Sequence, residues 1–178
     1  MRKLLVIAVI PLAVLVIACG AGTKTGTSSA PGGGAQAATT AAEPTTVKAG
    51  QPLTLTESVL GSDTVATITL SNVKYGVKSS NQFDKPEKGQ FITADVTVSV
   101  SKGKFSISSG SFKLVAKDGT AYDTTFMSDV QDLSGNDLTP GQKTSGTIVF
   151  DTTKGAQTGG KIALKDILAD GDAGYWTL

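Results

Sequence analysis

Between Phe91 and Val100 the chain alternates without a break. Ile92, Ala94, Val96, Val98 and Val100 fall on one side of an extended backbone, and Phe91, Thr93, Asp95, Thr97 and Ser99 on the other. A helix would scatter these two sets around its circumference, whereas a strand sorts them onto opposite faces. One apolar and one mostly wet face predict a strand covered on a single side, as in an antiparallel sandwich. The same period recurs along the rest of the chain. Thr64 to Tyr75 begins with Ala66, Ile68 and Leu70 on one face, then moves its apolar phase to Val73, Tyr75 and Val77. That shift predicts a bulge or a strand that changes sheet. Phe112, Leu114 and Ala116 alternate with Lys113, Val115 and Lys117, whose wet face needs no ligand to explain it. Asp118-Gly119 then predicts a hairpin, since both residues tolerate positive φ. Thr139-Pro140-Gly141-Gln142 has the Pro and Gly order of a type II turn. It leads into a strand with Gly146, Ile148 and Phe150 inward. Ile162 with Leu164, and Trp176 with Leu178, mark two more strands, while Leu53–Glu57 and Phe105–Ile107 add shorter pieces. Trp176 is expected in the core, and Tyr175 on the opposite face stays open. No helical periodicity follows the N-terminal segment. The expectation is an all-β sandwich of seven to nine short strands.

The first residues carry an address. Arg2 and Lys3 precede Leu4–Ala18, a run without a charged side chain. As a helix it would reach roughly 22 Å, short of a hydrocarbon core of about 30 Å. No basic cluster follows it to stop transfer. The layout is that of a secretory signal peptide. Val16-Ile17-Ala18-Cys19-Gly20 resembles the bacterial lipobox, which implies cleavage after Ala18 and lipidation of Cys19. Several acyl chains on one residue suffice for stable anchoring, each buried CH₂ contributing about 0.8 kcal/mol. Of the 31 residues from Gly20 to Gly50, 26 are Ala, Gly, Ser, Thr or Pro. Such a stretch buries too little apolar surface to offset the entropy of ordering it, so it reads as a tether. The expected organisation is a signal peptide over 1–18, a lipidated Cys19 with a flexible linker over 19–50, and one β-sandwich over 51–178. The expected location is the extracytoplasmic face of the cell membrane.

Composition narrows the chemistry. From Cys19 onward the chain has 14 Lys, no Arg and 15 Asp and Glu. A near-neutral chain without Arg argues against nucleic acid, which needs clustered cations to neutralise phosphates. There is no His, and Cys19 is the only cysteine. Ser–His and Cys–His nucleophile pairs and His-ligated metal sites are therefore excluded from the domain. No glycine-rich phosphate loop and no GxSxG elbow occurs. The expectation is no enzyme and no cofactor. Asp129, Asp132 and Asp137 in one loop, and Asp170 and Asp172 before the last strand, supply hard oxygen donors of the kind Ca²⁺ takes. Neither spacing is that of an EF-hand, and Asp is also ordinary turn chemistry. Phe83 in a polar loop, and Phe126-Met127 in another, are the candidate partner-binding residues. The competing expectation is that Phe83 and Phe126 cap the ends of the core.

Gly89-Gln90-Phe91 opening the long strand, Phe112-Lys113-Leu114 with Asp118-Gly119 and Tyr122, and Leu138-Thr139-Pro140-Gly141-Gln142 with Gly146 and Ile148-Val149-Phe150 together carry a family likeness. The pattern resembles domain of unknown function family 4352, found on Gram-positive lipoproteins. That family is similar in fold to the immunoglobulin-like secreted immunoprotective antigens of mycobacteria. The resemblance spans Gln51 to Leu178, is densest from Gly89 to Phe150, and departs from the pattern at Ser101-Lys102-Gly103. It implies an immunoglobulin-like antiparallel β-sandwich and brings no catalytic residues. Two functional readings follow. One is a membrane-anchored, non-catalytic module that binds an envelope protein or another envelope component. The other is a small-molecule or calcium-binding lipoprotein that uses the Asp-rich loops.

Overall fold

The computed structural model describes residues 44–59, 62–166 and 171–178. The signal peptide, Cys19, most of the linker and Asp170 lie outside the described residues. Eleven strands are described: β1 (Thr45–Lys48), β2 (Pro52–Val59), β3 (Ser62–Val77), β4 (Gln90–Lys102), β5 (Phe105–Ser108), β6 (Phe112–Val115), β7 (Ala121–Asp123), β8 (Ser134–Leu138), β9 (Lys143–Thr152), β10 (Lys161–Lys165) and β11 (Asp172–Thr177). The count exceeds the expected seven to nine because β1, β5, β6 and β7 are only three or four residues long. Sheets of order β1-β11-β10-β6-β7 and β2-β3-β4-β9, with the β5-β8 ribbon beside them, form an immunoglobulin-like sandwich.

Two departures from the sequence expectation concern its edges. Thr45–Lys48, inside the stretch read as linker, is a strand that pairs in parallel with Gly174–Thr177. Its β-branched Thr-Thr-Val suits a strand, and Val47 packs against the core. At the β6–β7 hairpin only Gly119 takes positive φ. Asp118 instead accepts the Thr120 N–H through Oδ1 at 2.9 Å, closing the turn with its side chain.

The core forms as the alternation demands. Ile92, Val96, Val98, Ile148 and Phe150 from one sheet face Phe112, Leu114, Ile162 and Trp176 from the other, all fully buried. The Trp176 and Phe112 rings lie 6.2 Å apart. The indole N–H, costly to bury without an acceptor, donates to the Gln51 carbonyl at 3.1 Å. The phase shift in β3 is a bulge: the register with β4 slips between Ser71 and Lys74, where Asn72 sits at φ 47°. Asn72 Nδ2 donates to Asp95 Oδ2 at 3.0 Å, which ties the bulge to the neighbouring strand. Gln142 N–H donates to the Thr139 carbonyl at 2.9 Å, with Gly141 at φ 87° as a type II turn requires.

The second face of β4 is wet only in part: Thr97 is exposed and Asp95 and Ser99 are half-buried, whereas Phe91 and Thr93 are buried. Phe91 is buried together with Val149 and Met127 in a separate apolar cluster. The chain from Thr124 to Asp132 runs along the free edge of β9 and covers the Phe91 end of this face. Thr125 N–H donates to the Val149 carbonyl at 2.8 Å, and Thr147 N–H to the Gln131 carbonyl at 2.7 Å. Gly146 permits the close passage, since a Cβ there would lie 2.5 Å from the Leu133 Cα. The strap also occupies backbone groups that an open edge would offer for aberrant pairing.

Candidate functional site

Two loops meet at the end of the sandwich where β3 leaves off and β4 begins. The first, Lys78–Gly89, carries Phe83; the second, Thr124–Val130, carries Phe126. Carboxylates clasp them from both sides. Asp84 Oδ2 accepts the Ser128 hydroxyl at 2.6 Å and the Ser128 N–H at 2.8 Å. In the reverse direction, Asp129 Oδ2 accepts the Ser80 N–H at 2.6 Å and the Ser80 hydroxyl at 3.0 Å. Asn81 Nδ2 adds a bond to Ser128 Oγ at 2.9 Å. Within the first loop, Asn81 Oδ1 accepts the Phe83 N–H at 3.0 Å, as an Asx turn does. The Ser128 hydroxyl and N–H hold the Asp84 carboxyl below its ordinary value, and the Ser80 N–H and hydroxyl do the same for Asp129. Each donor stabilises the charged form.

The far end of the first loop is pinned as well. Asp151, nearly buried at 8% exposure, accepts the Glu87 N–H at 2.7 Å and the Lys88 N–H at 3.1 Å. The loop is thus an arch fixed at both feet. Phe83 at its crown is 83% exposed, and Phe126 on the facing loop is 71% exposed. Neither caps the core. Met127, the third expected partner-binding residue, is 1% exposed and packs under the loop against Phe91 and Val149. It is an anchor and not a contact residue: Met127 turns inward to the cluster while its neighbour Phe126 turns out to solvent.

The expected calcium ligands are dispersed. Asp129 belongs to the loop clasp, Asp132 accepts the Ser109 hydroxyl at 3.1 Å, and Asp137, at φ 49°, donates its N–H to Ser106 Oγ at 3.0 Å. Asp172 lies in the other sheet, where Lys113 Nζ is 2.7 Å away and the Tyr175 hydroxyl donates at 3.0 Å. Among the described residues no three carboxylates gather as a metal site would need. Sequence reasoning missed the clasp because its partners are separated by 44 and 49 residues, and neither loop carries periodicity. The Ser79-Ser80 and Ser128-Asp129 pairs were its visible parts.

No described helix is long and apolar enough to cross a membrane. The model of the family "Domain of unknown function (DUF4352)" matches residues 58–173. No curated protein matches the chain. Among solved structures, the chain is similar to the secreted protein MPT63 of Mycobacterium tuberculosis, with a TM-score of 0.62 and 25% identity over 77% of this chain and 99% of that one. The yjhA protein of Bacillus subtilis shares the fold, with a TM-score of 0.52 and 21% identity over 69% of this chain and 84% of the other.

Proposed function

The chain belongs to the DUF4352 family, and from that premise we propose that it is a non-catalytic binding module, lipid-anchored at Cys19 on the outer face of the cell membrane, whose partner is an envelope protein. The carrying observation is the pair of exposed phenylalanines on two mutually clasped loops. Large apolar side chains held in water by a rigid frame are what protein interfaces use as anchors, because little conformational entropy is lost on docking. Likeness to a secreted protein supports a place outside the cytoplasm. The lipobox resemblance supports the anchor, with the Ala/Gly/Ser/Thr/Pro-rich stretch as tether. The absence of His and of any cysteine within the domain supports a non-catalytic role.

The test is photocrosslinking on intact cells, with a photoreactive side chain at Phe83 and, separately, at Phe126. A discrete protein adduct from either position is expected. Lipid or nonspecific adducts alone, from both positions, would sink the reading. The anchor has its own readout: Cys19→Ala is expected to release the domain into the medium or leave it unlipidated at the membrane. Unchanged incorporation of a palmitate label would remove the anchor from the proposal.

A further inference from the structure

Beneath the arch lies a cleft of about 460 Å³. Its lining includes Lys78 and Lys85 from the arch and Lys154 from the turn after β9, with Val77 and Pro86 as apolar wall. The described ion pairs engage Lys102, Lys113 and Lys165. Lys78, Lys85 and Lys154 make none among the described residues. The one acidic side chain in the lining is Asp84, whose Oδ2 is taken up by Ser79 and Ser128. Among the lining side chains three lysines stand against one carboxylate, while Asp151 and Asp129, which pin the arch, lie outside the lining.

We propose that this cleft is a carboxylate-binding subsite for an acidic segment of the protein partner, with Lys78, Lys85 and Lys154 as its cationic ligands and Phe83 as the apolar contact beside it. The inference rests on the binding-module reading given above. An anionic occupant follows from the charge. A carboxylate-bearing peptide is favoured over a polyphosphate chain by two observations. The lysines surround one bounded cleft and form no extended track of the kind a polyanion follows. The site also lacks the arginine forks that match phosphate oxygens in pairs. Ammonium groups are compact, strongly hydrated point charges, which suits a weak contact that tolerates several carboxylate orientations. Phe83 lies between Gln82 and Asp84, both in the lining, so the exposed ring is one residue away from the cleft wall on either side. The pinned feet of the arch hold Lys85 and Pro86 over the cleft before any partner arrives.

The full chain, purified in a neutral detergent, is titrated with a glutamate-rich peptide and with its glutamine counterpart. The glutamate peptide is expected to bind and the glutamine peptide not to. Affinity is expected to fall about tenfold between low salt and roughly 0.5 M, as screening dictates. A loss of about tenfold is also expected in the combined variant Lys78→Gln, Lys85→Gln, Lys154→Gln, each exposed pair contributing modestly. The combined Lys→Arg variant is expected to retain binding. Equal binding of the glutamine peptide, or an unaffected triple Gln variant, would overturn the subsite. Inorganic phosphate that displaces the peptide at low concentration would reassign it to phosphate. Binding to phosphatidylglycerol vesicles that needs the three lysines, with no peptide binding, would reassign it to the bilayer. Crosslinking separates the two readings. A triple Gln variant that still yields the Phe83 adduct at full strength overturns the cleft and leaves the binding module standing. Loss of every protein adduct from the unaltered chain, with peptide binding intact, removes the protein partner and leaves the carboxylate subsite in place.

Discussion

At the Phe83 end, Asp84 and Asp129 point across the gap between two loops and take neutral donors, the hydroxyls and N–H groups of Ser128 and Ser80. In the five-stranded sheet, Asp172 takes a cation, Lys113 Nζ at 2.7 Å, together with the Tyr175 hydroxyl, and the Lys161 ammonium lies 3.4 Å above the Tyr175 ring. Both regions are carboxylate-rich and both look alike in sequence, as Asp scattered through turns. The sheet arrangement joins strands that the backbone already aligns. The clasp joins two loops that no ladder connects, with the Met127 cluster as apolar support below the second of them. The clasp is therefore the region whose local stability depends on few contacts, and it is the one that displays the phenylalanines.

If Met127 is what seats the second loop, Met127→Ala should have the largest effect that separates the two regions. Truncating a fully buried Met leaves a cavity, for a loss of about 3 kcal/mol. Denaturant unfolding measures the loss, and amide exchange should quicken first around Thr124–Val130 while β10 and β11 keep their protection. Uniform acceleration across both sheets would mean that the loop and the sandwich open as one unit, and the contrast would fail. Asp172→Asn probes the other side. It keeps an acceptor for Tyr175 and removes the charge facing Lys113, a partly buried pair worth about 1 kcal/mol. Unfolding in denaturant should register that smaller loss with no change at Ser80 or Ser128.

Acid should distinguish the regions further. Asp84 and Asp129 are held below the ordinary carboxyl value of 3.8 by the donors of the opposite loop. In the folded clasp they bind fewer protons than in the open chain. Their contribution is thus fully present above pH 3.8 and is lost as pH falls through the lowered folded values. Amides of Ser80 and Ser128 should lose protection over that acid range. In Asp84→Asn the Ser128 clasp should no longer respond to acid, whereas the Asp129 clasp should. Persistence of the full acid response in the variant would place its origin elsewhere.

The same contrast explains what was legible in the sequence. Strand faces were readable because alternation is local: Ile92 to Val100, Ile148 with Phe150, and Trp176 all lie where period two puts them. The β3 bulge was readable as a slip of that phase, and Gly141 as a turn residue. The covered start of the outer face of β4 was not, because Phe91 is covered by a strap reached only 36 residues later in the chain, at Met127. Thr45–Lys48 was hidden by the Ala/Gly/Thr-rich composition around it, although its pairing with β11 is set by backbone groups that composition does not report. At the candidate site, the exposed aromatics were identifiable as residues in polar loops. That two loops were one site was not, since every bond of the clasp joins residues more than 40 positions apart.

The smallest expected effect on stability is the most informative about role. Phe83→Ala and Phe126→Ala each remove a ring that is mostly in water, so unfolding free energies should stay within about 0.5 kcal/mol of the unaltered chain. A ring held for packing could not be removed so cheaply, as the neighbouring Met127 is expected to show. The double variant should therefore fold as before and keep the acid response of both clasps, since neither ring donates to Asp84 or Asp129. Its loss should appear only in capture of the partner on cells. If instead the double variant is destabilised by as much as Met127→Ala, the rings are structural, and the clasp holds a cap on the domain and not a surface for binding.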